Sequence, residues 1–240
     1  MNRLVLFDLD HTLLDGDSDM LWCDFLMDRG VLERSHFAPR NEAMQRDYRS
    51  GSVSTQDFCD FYVSTLAGRS AAQWQPLRED FLRERVAPRL SAAARALVQQ
   101  RQDEGALVVL TTATNHFITE LTAQEMGIEH LIATACETSA DGVFSGRTQG
   151  VLNMREGKVE RLHAWLAQRG TTLAGYESWA YSDSVNDLPL LRAVQHAVAV
   201  HPDERLAAEA ARCAWPVLQL HGPAARARSA GSATIGDCLA

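Results

Sequence analysis

Residues 4–19 read LVLFDLDHTLLDGDSD. The first four, Leu4 to Phe7, form an apolar run that suits a buried parallel strand. Five aspartates follow at positions 8, 10, 15, 17 and 19. Carboxylates repel one another and are costly to hold against buried backbone. In an open parallel sheet, ligands bind outside the carboxyl ends of the strands. The stretch therefore reads as a buried strand whose carboxyl end carries acids where a ligand could bind.

The rest of the chain repeats the strand pattern. Apolar runs recur at Ala106–Leu110, His130–Ala133 (the weakest), Trp179–Tyr181 and Ala197–Val200, with helical periodicity between them. The stretch Ser91–Glu104 is one such helix, closed by Gly105. The alternation predicts an α/β fold built on a doubly wound, Rossmann-like parallel sheet. Residues 13–88 break it. They show helical spacing and aromatic punctuation (Trp22, Phe25, Tyr48, Phe58, Phe61, Tyr62, Trp74, Phe81) without a buried strand, so they read as a helical insertion whose aromatics mostly form a small core of their own. Asp141-Gly142 between short apolar stretches marks a hairpin within residues 134–157. The tail from Gly222 is rich in Ala, Ser, Gly and Arg and reads as frayed at its end.

Composition narrows the function. A chain of 240 residues with 46% apolar content has room for one domain plus an insert. A formal charge of −8 opposes nucleic acid as the main partner. No apolar run reaches bilayer length, and the first residues suit a strand, not a signal segment, so the expected location is the cytoplasm. The five cysteines contain no CxxC pair, so they suggest neither a zinc site nor a disulfide framework and read as scattered thiols. The basic residues are 22 arginines and one lysine, Lys158. Nothing in the sequence specifies an oligomeric state.

Four polar signals follow predicted strands or open a helix. Asp8-x-Asp10-x-Thr12 sets two carboxylates where they can converge on a hard cation such as Mg2+. Thr111-Thr112-Ala113-Thr114-Asn115 offers hydroxyl and backbone N–H groups at a strand-to-helix turn, which suit a phosphate and equally suit a helix N-cap. Lys158 opens a helical pattern in REGKVERL. Tyr181-Ser182-Asp183-Ser184-Val185-Asn186-Asp187 packs two acids and an amide into one turn, which an ordinary Asp-rich loop would also do.

In this order, DLDHT, TTAT, Lys158 and SDSVND resemble the haloacid dehalogenase superfamily, and within it the phosphoserine-phosphatase-like branch. The resemblance covers residues 3–200. It implies a core domain of residues 1–14 and 89–240, with residues 15–88 as a helical cap inserted after the first strand. It implies a Mg2+-dependent phosphomonoesterase that acts on a small phosphorylated metabolite, such as phosphoserine, histidinol phosphate or another amine-bearing ester. By the same resemblance Asp8 is the nucleophile that becomes an aspartyl-phosphate, and Asp10 is the general acid and base. Thr112, Ala113, Lys158 and Asn186 hold the phosphoryl group. Asp8, Asp10 (through its backbone carbonyl), Asp183 and Asp187 form the metal site, Asp187 in support. Asp17 falls near the position of an amine-binding carboxylate. Arg49 and Arg69 are the cap arginines weighed as partners of a substrate carboxylate.

His11 occupies a position where relatives carry a smaller residue, as a spacer or as a contact to the leaving group. Tyr181-Ser182 stands where many relatives have glycine. A calcium loop starting in DGDSD would need glycine at its sixth position and an acid at its twelfth, but Met20 and Leu26 stand there. P-loop, GxSxG and GxGxxG patterns are absent. A dehalogenase would not require Asp10. A phosphomutase or phosphotransferase of the same fold, or a non-catalytic binding protein, remains as the alternative.

Overall fold

The computed structural model describes residues 2–50 and 52–222, without the side chains of residues 49 and 50. The Arg49 side chain, Cys238 and the tail after Gly222 therefore lie outside the described residues. Seven strands form one sheet in the order β4-β3-β2-β1-β5-β6-β7. They are β1 (Asn2–Phe7), β2 (Leu107–Asn115), β3 (His130–Thr138), β4 (Phe144–Gln149), β5 (Tyr176–Ser182), β6 (His196–Val200) and β7 (Val217–Leu218). All neighbours are parallel except β3 and β4, which pair antiparallel.

Strand β1 lies between β2 and β5, with Phe7 in register with Leu110 on one side and Tyr181 on the other. Chain order runs outward in opposite directions from this point, so a crevice opens beyond the carboxyl end of β1. Asp8 is the first residue there. Its N–H donates to Tyr181 O at 2.9 Å, continuing the ladder by one step.

The two-residue period of β1 divides the core. Leu4 and Leu6 pack with Leu162 and Leu166 of α7 (Glu156–Gln168), Leu190 and Leu191 of α8 (Leu188–Ala193), and Leu206 and Ala210 of α9 (Glu204–Cys213). Val5 and Phe7 face the other way, toward α5 (Ala92–Asp103) and α6 (His116–Glu125). Tyr181, one of the departures from the usual glycine, is accommodated in that second layer. It stacks on Phe7 at 4.6 Å, and its hydroxyl accepts from Arg101 Nη2 at 2.7 Å.

Between β1 and β2 come α1 (Ser18–Asp28), α2 (Arg34–Ser50), α3 (Thr55–Val63) and α4 (Ala71–Phe81). The outgoing and returning chains meet where Leu14 bridges Leu90 and Asp15 N–H donates to Arg89 O. The expectation that the aromatics here form a separate small core needs correction. Trp22, Phe25, Trp74 and Phe81 belong to the same cluster as Val5 and Phe7, and Phe37 and Tyr62 belong to a small second one. Their large rings gain more by extending an existing apolar layer than by enclosing a new one.

The Asp141-Gly142 turn closes the β3–β4 hairpin, with Gly142 at φ 72°. Strand β4 in turn braces α3, because Thr148 N donates to Asp60 Oδ1 at 2.7 Å. Among the described residues, no helix is long and apolar enough to cross a membrane.

Candidate active site

Four segments bring side chains to a cavity of about 500 Å³ beyond the end of β1. Asp8, Asp10, His11, Ala113, Thr114, Lys158, Asp183, Asn186 and Asp187 all line it, as do Asp17 and Asp19. Asp8, Lys158 and Asp187 are buried, at 6%, 2% and 4% exposure.

Lys158 is the centre of the charge arrangement. Its Nζ donates to Asp8 Oδ1 at 2.7 Å and to Asp187 Oδ2 at 2.6 Å. Burial alone would drive this ammonium toward its neutral form, but the carboxylates of Asp187 and Asp8 outweigh burial and hold it charged. Asp8 Oδ2 accepts from Thr12 Oγ1 at 3.1 Å, and Asp187 Oδ2 also accepts from Ser182 Oγ at 2.7 Å. Ser182 thus fixes the acidic turn in the place where relatives carry glycine.

Asp10 sits in a different environment two residues on. Its Oδ1 accepts from the Ser18 N–H at 2.7 Å and its Oδ2 from Thr114 Oγ1 at 3.0 Å. Its pKa is pushed up to about 6, by burial first and then by Asp17, against the pull of Ser18 and Thr114. Asp8 is pushed up to about 7 by burial, with Lys158 opposing and Asp187 and Asp10 adding to it. Asp183 rises to about 9, again by burial and then by Asp8 and Asp187.

Thr112 is fully buried and does not line the cavity; Ala113 and Thr114 do. The Thr112 hydroxyl accepts the Thr114 N–H at 3.2 Å, so it is held against the turn that faces the cavity. Asn186 faces the cavity, its own N–H donating to Ser184 Oγ at 3.2 Å. The five aspartates of the opening stretch separate clearly. Asp8 and Asp10 lie at the centre, and Asp15 is exposed. Asp17 caps α1, accepting from Met20 N at 2.9 Å, while also lining the cavity. Asp19 Oδ2 lies 3.2 Å from Thr114 Oγ1. His11 adopts φ 55° and sits exposed at the rim. Arg69 lies over the Trp74 ring, 4.5 Å from its centroid.

Several contributors were missed in the sequence. Ser18 and Thr114 hold Asp10, Ser182 holds Asp187, and Tyr48 and Phe58 stack at 4.0 Å and line the cavity from the inserted helices. Thr114 and Ser182 stand within the quoted TTAT and SDSVND motifs without a role of their own assigned, and Ser18 has a local signal as the first helical residue after an Asx N-cap.

The donor set is all oxygen and carries more negative charge than Lys158 balances, which fits a hard divalent cation such as Mg2+. Asp8 and Asp183 with the Asp10 carbonyl would hold it, and Asp187 would support it. Among the described residues, no three His, Cys, Asp or Glu side chains are already drawn around one point.

A pH dependence follows from the raised carboxyls. Without a divalent cation the folded protein keeps protons on Asp10, Asp8 and Asp183 that the unfolded chain releases near pH 4. Their contribution to stability is intact at low pH and is lost as pH rises through about 6, 7 and 9. Melting curves in chelator should therefore fall between pH 5 and pH 9, and Mg2+ should restore most of the loss at the alkaline end. A midpoint that rises over that range in chelator would contradict the arrangement.

Gly157 has a steric role beside Lys158. A Cβ at this position would lie 2.0 Å from Leu152 O, a contact with backbone that no rotamer can relieve. Gly157→Ala, which in an open helix would stabilise, should here displace the lysine turn and lower kcat/KM by about 100-fold. Steady-state kinetics of the variant would check it, and unchanged activity would refute the assignment.

The model of the haloacid dehalogenase-like hydrolases matches residues 5–192 of this chain. The chain belongs to this family. It is similar to a histidinol-phosphatase of Neisseria meningitidis serogroup C, at 39% identity over 91% of this chain and 99% of the relative. Among solved structures, a protein of unknown function from Bordetella pertussis superposes with TM-score 0.89 at 39% identity, covering 92% of this chain and 100% of the other. A substrate-bound phosphoserine phosphatase superposes with TM-score 0.64 at 16% identity, covering 87% of this chain and 90% of that one, and so shares the fold. This haloacid dehalogenase-like protein is a phosphatase.

Proposed function

We propose that this phosphatase hydrolyses a small, amine-bearing phosphomonoester with Mg2+, through an aspartyl-phosphate on Asp8. The observation that carries the reading is the Lys158 ammonium held between Asp8 Oδ1 and Asp187 Oδ2 at the mouth of β1. A carboxylate attacks a phosphate dianion only where cations offset the repulsion. Mg2+ bound by Asp8, Asp183 and the Asp10 carbonyl would supply the remaining positive charge against the phosphoryl oxygens.

The chain's own groups then divide the work. Lys158 and the Thr112–Ala113 turn hold the phosphoryl oxygens, with Asn186 beside them. An Asp8 oxygen forms a bond to phosphorus as the bond to the alcohol oxygen breaks, and Asp10 gives its proton to that oxygen. Asp10, now a carboxylate, takes a proton from water as the water oxygen bonds to phosphorus and the Asp8–phosphorus bond breaks. Inorganic phosphate leaves, and Asp10 is protonated again. Hydrogen bonds from Ser18 and Thr114 aim the Asp10 carboxyl, and burial pushes its pKa up to about 6, toward the range in which it can give and take a proton.

Residues 15–88 act as the cap in this reading, closing Tyr48, Phe58 and Asp17 over the ester. The histidinol-phosphatase relative favours histidinol phosphate as the first substrate to try. Free thiols at Cys23, Cys59, Cys136 and Cys213 suit a reducing compartment, so the proposed location is the cytoplasm. The test is phosphate release from histidinol phosphate, phosphoserine and p-nitrophenyl phosphate, with and without Mg2+. Mg2+-dependent release is expected, with the amine-bearing esters preferred over the aryl ester. An isomerised product without free phosphate would point to a mutase instead.

A further inference from the structure

Asn153 appears in none of the four motifs, yet it is fully buried at the edge of the site, between β4 and α7. Its Nδ2 lies 3.0 Å from Thr111 Oγ1, 2.9 Å from Thr112 O and 2.9 Å from Ile132 O. Its backbone N–H donates to Thr134 Oγ1 at 3.1 Å. Two amide hydrogens thus serve three acceptors, which come from two neighbouring strands.

Those acceptors mark a particular place in the sheet. Strands β2 and β3 pair regularly up to Thr112 and Ala133, and the register then shifts before Asn115 meets Thr134. A break in a buried ladder strands backbone carbonyls, and each needs a donor. The Asn153 amide supplies it. Ala113 and Thr114 are thereby free to leave the ladder and line the cavity, where Thr114 reaches Asp10. Five residues further on is Lys158, and the intervening Gly157 is pressed against Leu152 O.

We infer that Asn153 is a positioning residue for phosphoryl transfer: it fixes where β2 opens and ties the Thr112–Thr114 turn to the segment that carries Lys158. The inference rests on the phosphatase reading above. A leucine of similar size would remove the donors, and an aspartate would set lone pairs against three oxygens. Either change lets the turn and the lysine move relative to each other, and transfer is sensitive to such movement because it depends on geometry fixed before the reaction.

The experiment measures kcat and KM for p-nitrophenyl phosphate with Mg2+, orthovanadate inhibition, and melting temperature, in the wild type, Asn153→Leu and Asn153→Asp. Leu166→Ala is the control, because Leu166 is buried in α7 and does not line the cavity. Both Asn153 variants should lose kcat by about 30-fold or more with KM within about threefold, and vanadate should weaken in parallel. Leu166→Ala should lower the melting temperature at least as far, yet keep kcat within about threefold. Thr111→Val removes one acceptor and should cost roughly fivefold in kcat, which keeps the test decisive if Asn153→Leu does not fold. A loss of kcat no larger than that of Leu166→Ala, or a loss confined to KM, would overturn the inference while leaving an active phosphatase. A wild type without turnover would overturn the phosphatase reading and this inference with it.

Discussion

Asp8→Asn should leave the protein folded and its phosphatase activity about 10,000-fold or more below the wild type. The amide keeps the shape of the carboxyl, its one oxygen can still accept from Lys158 while its NH2 donates to Thr12 Oγ1, and the ladder contact to Tyr181 O and the burial of the residue survive. What disappears is the anionic oxygen that bonds to phosphorus. Removing one buried negative charge from a cluster that already repels itself should also raise stability in chelator at pH 8, where the wild-type Asp8 must give up a proton held to about pH 7. Activity and stability therefore move in opposite directions. Phosphate-release assays beside melting curves would check both, and a variant retaining a tenth of wild-type turnover would remove Asp8 from the role of nucleophile.

Lys158→Met should cost about 1,000-fold in kcat, the scale expected when a charge aimed at developing phosphoryl oxygens is removed from a water-poor site. It should also destabilise. The wild-type ammonium serves Asp8 and Asp187 at once, and its loss leaves both buried carboxyls without a cation. The sign with pH follows directly. At pH 5 Asp8, whose carboxyl is pushed up to about 7, keeps its proton and the variant melts nearer the wild type; at pH 8 the ionised form of Asp8 has lost its cation, and the gap widens to about 3 kcal/mol or more. Unfolding titrations at the two pH values would measure it. An equal loss at both would mean that Lys158 supports packing and not charge.

The grouping of the candidate site residues was legible in the sequence because they lie next to strand signals. Asp8 and Asp10 follow a four-residue apolar run, and Asp183 and Asp187 follow Trp179–Tyr181, so the topology carries them to one edge. Lys158 was legible for a compositional reason, as the one lysine among 22 arginines. A point charge without a planar fork can sit between two carboxylates in a tight space, which a guanidinium fits poorly.

What the sequence did not disclose depends on tertiary contact. Asn153 is one polar residue in a loop, and its importance exists only where the β2–β3 ladder breaks. Strand β3 runs to Thr138, well past the apolar His130–Ala133, because its polar end pairs with β4 in place of being buried on both faces. Trp22, Phe25, Trp74 and Phe81 show helical spacing but give no sign of which core they join. Asp17 was singled out by its place in a motif, and in the fold it both faces the cavity and caps α1. Its replacement would therefore disturb the helix cap and the cavity wall together.

The central claim is covalent phosphorylation of Asp8, and trapping it is the most direct test. Enzyme mixed with substrate and Mg2+, quenched in acid within the first turnover and reduced with borohydride, should yield homoserine in place of aspartate at position 8 in the tryptic peptide map. Aspartate persisting at position 8 through a turnover that releases phosphate, or homoserine at another position, would contradict the account.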